Sequence, residues 1–125
     1  QHPAEIAATI KSIRQLYPGR KICGIFQPHL YTRTRDFHKE FADSLSLLDS
    51  VILLPIYPAR EKPIEGVTSD MILELVTTAD KKTVSREALT GELAGRDTDI
   101  VVTFGAGDID RLVQPLEDLL RTKYA

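Results

Sequence analysis

Residues Lys21 to Asp36 read K-I-C-G-I-F-Q-P-H-L-Y-T-R-T-R-D, and this stretch decides the fold. Its first seven residues form a short apolar run, the pattern of a parallel strand buried on both faces. Pro28 ends that run. From about Thr34 a helical period takes over, with Phe37, Phe41, Leu45 and Leu48 on one stripe of a helix predicted to reach Leu48. Strand, short turn and amphipathic helix is the repeating step of an α/β sheet.

The step recurs on both sides. Upstream, Ile6, Ile10, Ile13 and Tyr17 fall on one face of a helix from Pro3 to Tyr17, which Pro18-Gly19 stops. Downstream, Val51 to Leu54 is a second strand bounded by Pro55. Ile56 to Val67, with Pro58, Pro63 and Gly66, is a loop. Thr68, Ser69 and Asp70 offer a cap to a helix carrying Met71, Ile72, Leu75 and Val76. A short strand around Lys82 to Val84 follows, then a helix capped by Ser85 and ending near Gly95. Ile100 to Phe104 is the last strand. Gly105-Ala106-Gly107 turns the chain, and Asp108 caps a final helix through Ile109, Leu112, Leu116, Leu119 and Leu120, which Pro115 should kink or restart. The predicted architecture is a three-layer, doubly wound α/β fold, a mostly parallel sheet with helices on both faces. Right-handed crossovers bring the turns Pro28 to Thr34, Pro55 to Val67 and Gly105 to Asp108 to one sheet edge, where such folds bind ligands.

Composition narrows the function classes. The 125 residues fit one domain, 42% hydrophobic and 27% charged, with a net charge of −2. No apolar run approaches the ~18 residues that span a bilayer, and no basic-then-apolar leader opens the chain, so a soluble cytoplasmic domain is expected. The lone Cys23 excludes an intrachain disulfide and a multi-cysteine zinc site, and His2, His29 and His38 have no close metal-ligand spacing. Residues 1–40 hold seven Lys+Arg against three Asp+Glu, while the rest of the chain is acidic. That asymmetry suits a local anion site better than a nucleic-acid surface, which needs a wider basic face.

The densest chemistry lies in Gln27 to Asp36. His29, Arg33 and Arg35 leave a buried strand for a helix N-terminus, so cationic side chains and unpaired N–H groups should face the same edge. Arginine there can clamp a carboxylate or phosphate with two prongs. The plainer alternative pairs Arg33 and Arg35 with Asp36 or Glu40 and sets His29 on a backbone carbonyl. Arg60 and Glu61 touch a ligand or a neighbouring domain, or form a solvated ion pair. Gly105-Ala106-Gly107-Asp108 lacks the third glycine of a dinucleotide fingerprint and reads as a tight turn with an acidic cap. His38 is expected on the surface, and Cys23 as core packing rather than nucleophile. No G-x-x-x-x-G-K-[ST] loop and no G-x-S-x-G elbow occur.

Four segments in order, H-P-A-E-I from His2, Q-P-H-L-Y-T-R-T-R-D from Gln27, Y-P-A-R-E-x-P-I-x-G-V-T-S from Tyr57 and T-F-G-A-G-D-I from Thr103, resemble the C-terminal domain of the Mur ligase family across nearly the whole chain. The resemblance implies a Rossmann-like domain, residues 1–125, excised from a three-domain enzyme and inactive alone. It implies an ATP- and Mg²⁺-dependent reaction of peptidoglycan synthesis in which UDP-N-acetylmuramate becomes an acyl phosphate that L-alanine attacks. ATP and Mg²⁺ would be bound mainly outside this domain. Its partners would be the enzyme's own central ATP-binding and N-terminal UDP-binding domains, with no nucleic acid and no membrane. By resemblance the substrate-binding residues are His29, Arg33, Arg35 and His2. His29 and Arg33 contact the incoming amino acid and the charge developing at the acyl centre, and His2 belongs to a histidine-proline segment. Where Leu30 replaces the arginine of many members, that contact is absent or supplied by Arg35. Gln1 stands where the first of two paired histidines is expected. The branch that attaches murein peptides, and a free-standing module for small anions, are the alternatives.

Overall fold

A computed structural model of the chain describes residues 2–96 and 98–105. Four strands are all parallel: β1 Ile22–Gln27, β2 Ser50–Leu53, β3 Asp80–Thr83 and β4 Ile100–Gly105, side by side in the order β3-β2-β1-β4. Four helices connect or flank them: α1 Pro3–Leu16, α2 Tyr31–Leu45, α3 Asp70–Leu73 and α4 Leu89–Ala94. The chain steps outward from β1 to β2 to β3, then returns past both to place β4 on the far side of β1. With right-handed crossovers, that reversal moves α4 to the opposite face from α2 and α3.

Side-chain packing follows from this. In β1, Ile22 and Phe26 point to a core shared with Ile6 and Ile10 of α1, Phe41 and Leu45 of α2, and Ile72 of α3. Cys23 and Ile25 point the other way, to Ile52, Leu54 and to Leu89 and Leu93 of α4. Every residue of β1 is buried, as a central parallel strand demands. Gly24 is needed there because Leu48 packs straight onto the strand backbone, in the space a Cβ would fill. At the opposite end Gly105 has φ +134°, and a Cβ on it would sit 2.6 Å from the Gln27 carbonyl oxygen. The doubly wound α/β class is therefore the observed one.

Several boundaries move from their sequence expectations. Helix α2 begins at Tyr31 rather than Thr34 and ends at Leu45 rather than Leu48, so Tyr31, Thr32 and Arg33 lie in its first turn. Helix α3 closes after one turn, and Leu75 and Val76 continue with tighter bonds to Ile72 and Leu73. Lys81 reaches back to cap its carbonyls, at 2.9 Å from both Leu73 O and Val76 O. Helix α4 starts at Leu89, Ser85 instead closing a turn by accepting from Ala88 N. Strand β3 runs over Asp80–Thr83, shifted toward the N-terminus. The Ala106–Asp108 part of the last turn, the final helix and the expected Pro115 kink lie outside the described residues.

Candidate functional site

Because all four strands are parallel, the turns after β1 and β2 emerge at the same edge, and there they join. Leu30 N donates to Tyr57 O at 2.9 Å, and Tyr57 N donates to Pro28 O at 2.8 Å. These two bonds form a single parallel bridge between His29 and Tyr57. Their rings stack above it, centroids 5.8 Å apart and 24° from coplanar. The bridge holds the 28–34 turn against the 55–67 loop before any side-chain bond is counted.

Helix α2 has no local cap. Its N-cap residue is Leu30, whose side chain has no acceptor and whose backbone sits at φ +70°, ψ +139°. That conformation is costly for a residue with a Cβ. The missing acceptor arrives from the neighbouring loop. Glu61 Oε1 accepts from Tyr31 N at 2.6 Å and from Thr32 N at 3.1 Å, while Oε2 accepts from the Thr32 hydroxyl. The Thr32 hydroxyl, followed by the Thr32 and Tyr31 amides and the nearby Arg35 charge, draws the Glu61 carboxyl below its ordinary value. A carboxylate so placed also complements the positive end of the helix dipole. The expectation that this helix end offers unpaired N–H groups to an anion is thereby corrected, since Glu61 takes them. Glu61, expected with Arg60 to touch a ligand or a neighbouring domain or to form a solvated ion pair, is found as the cap of α2.

The candidate cations are dispersed around this turn. Arg33, half-buried, lays its guanidinium over two rings of its own helix, 5.4 Å from the Phe37 centroid and 5.9 Å from that of Phe41. Such stacking restricts the guanidinium while leaving its edge donors directional. Arg35 is exposed and pairs with Asp36 at 2.9 Å, as the plainer alternative held for that residue; the hydrogen bond and charge of Asp36 raise its already high pKa. His29 rests on Tyr57, and among the described residues its ring nitrogens take no hydrogen bond. His2 lies elsewhere. Its Nδ1 accepts from Ala4 N at 3.1 Å, capping α1. The adjoining Pro3 carbonyl accepts from Ser44, and Ser44 is about 20 Å along α2 from Tyr31 at the standard helical rise. The structure thus keeps His29 and Arg33 on one turn, with Arg35 on the next exposed position and His2 apart.

Two clefts flank the turn. One of about 360 Å³ lies beneath the 55–67 loop, among Tyr31, Pro55, Ile64, Val67, Asp70 and Thr83. A second of about 260 Å³ is bordered by Gln27, Tyr57, Pro58, Ser85, Arg86 and Glu87. Gln27 is buried beside it, its Nε2 donating to Pro55 O at 3.4 Å and its Oε1, among the described residues, without a hydrogen bond. Cys23, wholly buried, has its thiol pushed up to about 11 by that burial, which suits packing and not nucleophilic attack. His38, half-buried, holds its Nδ1 2.7 Å from the Arg35 carbonyl. Among the described residues no group of three His, Cys, Asp or Glu side chains could hold a metal ion. Sequence reasoning missed the Glu61 cap and the Tyr57 stack. Their only advance signal was Leu30, a helix entry with no capping side chain.

The model of the family described as "Mur ligase, glutamate ligase domain" matches residues 1–107. A UDP-N-acetylmuramate–L-alanine ligase from Cytophaga hutchinsonii is 52% identical over 123 residues, 98% of this chain and 26% of that protein. Another from Porphyromonas gingivalis is 54% identical over 122 residues, 97% of this chain and 27% of its own length. The chain therefore spans about a quarter of the relatives it matches. Among solved structures, the UDP-N-acetylmuramate–alanine ligase of Thermotoga maritima shares the fold, with a TM-score of 0.73 at 21% identity over 98% of this chain and 25% of that one. With a family model spanning most of its length, the chain belongs to the Mur ligase family, in its glutamate ligase domain.

Proposed function

We propose that this chain is the C-terminal domain of a cytoplasmic ligase that joins L-alanine to UDP-N-acetylmuramate in peptidoglycan synthesis, and that it acts only beside the enzyme's other two domains. The observation that carries this reading is the identity of more than half the residues, over nearly the whole chain, with proteins named for that reaction. In this reading activation of the muramic carboxylate is the chemistry that ATP and Mg²⁺ would supply when bound mainly on the central domain. Among the described residues no group of three His, Cys, Asp or Glu forms a metal site, and the helix end nearest the candidate turn carries the Glu61 carboxylate. This chain's own work is to bind and orient the amino acid.

Arg33 is the residue assigned to the alanine carboxylate. Its rings hold the guanidinium in place, so less rotational freedom is lost when a carboxylate docks on its two-pronged edge. His29, fixed on Tyr57, faces the developing charge at the reacting centre. Arg35 reinforces the positive field from its exposed place, moderated by Asp36. His2 is assigned to the side facing the neighbouring domains, given its distance along α2. Closure of the domain over the site excludes water from an activated acyl group and sets the amine against it.

The test is ADP release by the full-length protein offered L-alanine and the murein tripeptide in competition. Release that depends on L-alanine, with none from the 125-residue chain alone, supports the reading. Release driven by the tripeptide would move the chain to the peptide-attaching branch. Alanine-dependent release by the chain alone would overturn the division of labour.

A further inference from the structure

We infer that Glu61 is a positioning residue for amino-acid recognition, shaping the His29–Arg33 turn from a loop about thirty residues away. The inference rests on the reading of that turn as the amino-acid site, and it adds a residue that touches no substrate.

The turn cannot hold its own shape. Leu30 enters the helix at positive φ and has nothing with which to cap it. Without Glu61 the amides of Tyr31 and Thr32 would lose their acceptor, and the first turn would be free to fray. Arg33 sits in that first turn, and His29 immediately precedes it. Glu61 supplies both carboxylate oxygens to three donors on two adjacent residues, which fixes rotation of the helix end as well as its position. The loop carrying Glu61 is itself tied down by the backbone pair between Tyr57 and the Pro28 and Leu30 backbone. Ala59, between Tyr57 and Glu61, adopts φ +51°, a sharp bend that turns the chain toward α2. The same loop therefore presents Tyr57 to His29 and Glu61 to the helix. It sets the two candidate contacts relative to each other.

A ligand carboxylate is also denied this helix end. With the Tyr31 and Thr32 N–H groups taken and a negative charge beside them, an incoming amino acid is directed to the Arg33 guanidinium instead. Glu61 thus excludes one binding mode while supporting the other.

The experiment uses the full-length ligase, with KM for L-alanine, KM for ATP, kcat and thermal midpoint measured for each variant. Glu61→Ala should raise the alanine KM about tenfold, the scale of a lost cap and its charge, while the ATP KM and kcat change by less than about threefold. Glu61→Gln, which keeps an acceptor for the two amides, should recover most of that loss. Asp49→Ala serves as the structural control. It removes a carboxylate that binds Ile22 N and Arg14 at the far edge of the sheet, and should lower the midpoint without a selective change in alanine KM. An unchanged alanine KM in Glu61→Ala, or a uniform loss resembling Asp49→Ala, overturns the inference. Arg33→Ala separates the two levels: if it leaves the alanine KM untouched, the reading of the turn fails. If it raises that KM while Glu61→Ala does nothing, only the role of Glu61 fails.

Discussion

At Leu30, the backbone asks for a glycine and the sequence supplies a branched side chain. With φ +70° and ψ +139°, the Cβ is the source of strain, so removing the rest of the side chain brings no relief. Leu30→Ala is expected to destabilise the fold, losing packing and keeping the strain. Leu30→Gly, which loses the same packing but releases the Cβ, should be more stable than Leu30→Ala by about 1 kcal/mol. Urea midpoints of the two variants check the order. An alanine variant as stable as the glycine one would mean the entry conformation is unstrained. Gln27 poses the converse case. Its Oε1 is buried with no bond among the described residues, and its Nε2 makes a long one to Pro55, an exposed residue. Gln27→Met removes an unsatisfied acceptor at similar volume, and is expected to leave stability within about 1 kcal/mol of the parent or above it. A loss of several kcal/mol would reveal a partner for that oxygen. Cys23 is chemically quiet for a simple reason: burial in the core holds it as a thiol. A thiol reagent at pH 8 should leave the native protein unmodified and label it fully in denaturant.

At the scale of elements, what periodicity shows and what it hides are both clear in α2. The Phe41 and Leu45 part of the stripe was readable from spacing, because burial on one helical face imposes that spacing; Phe37, expected with them, stays exposed one turn earlier. The helix start was not, because its cap comes from Glu61, and no local pattern records an acceptor donated by a distant loop. Arg33 shows the same split. Its place beside the sheet edge followed from strand and turn, but its rest against Phe37 and Phe41 required knowing which way the first turn faces. Strand β1 was legible to within one residue, since a strand buried on both faces is apolar from Ile22 to Phe26, with the buried Gln27 closing it at the site edge. Strand β3 was displaced because an edge strand reading D-K-K-T has no such constraint.

Acid should act on these elements through carboxylates held ionised by their partners. Glu61 is lowered first by the Thr32 hydroxyl, Asp80 by its hydrogen bond from Arg96, and Glu92 by Lys82. Each folded pKa lies below the unfolded one. Their contribution is therefore complete above the ordinary carboxylate pKa of about 4 to 4.5 and disappears as pH falls through the lower folded values. Thermal midpoints between pH 7 and 3 are expected to drop below about pH 4.5, and to drop less steeply in Glu61→Gln. An identical acid limb in that variant would show that Glu61 is no more ionised in the folded chain than in the unfolded one.

For the whole molecule, the arrangement of strands does what no single motif does. Placing β4 on the far side of β1 gives a sheet with helices on both faces and gathers the described turns on one edge. The doubly wound class and the Mur ligase family were both readable from the chain, the first from alternation of strand and helix, the second from four short segments in order. The placement of the candidate residues was readable in part: His29 and Arg33 share a turn, Arg35 is paired with Asp36, and His2 caps α1 some distance away. The loop that organises the turn was readable only as a loop, since its role depends on contacts across the edge. The central claim is that this edge presents Arg33 to the carboxylate of an amino acid. A crystal structure of the full-length ligase with L-alanine bound tests it most directly. The alanine carboxylate is expected on the Arg33 guanidinium at about 3 Å, with Glu61 still on the Tyr31 and Thr32 amides; an alanine carboxylate seated elsewhere, with Arg33 still lying on Phe37 and Phe41, would show that Arg33 does not receive it.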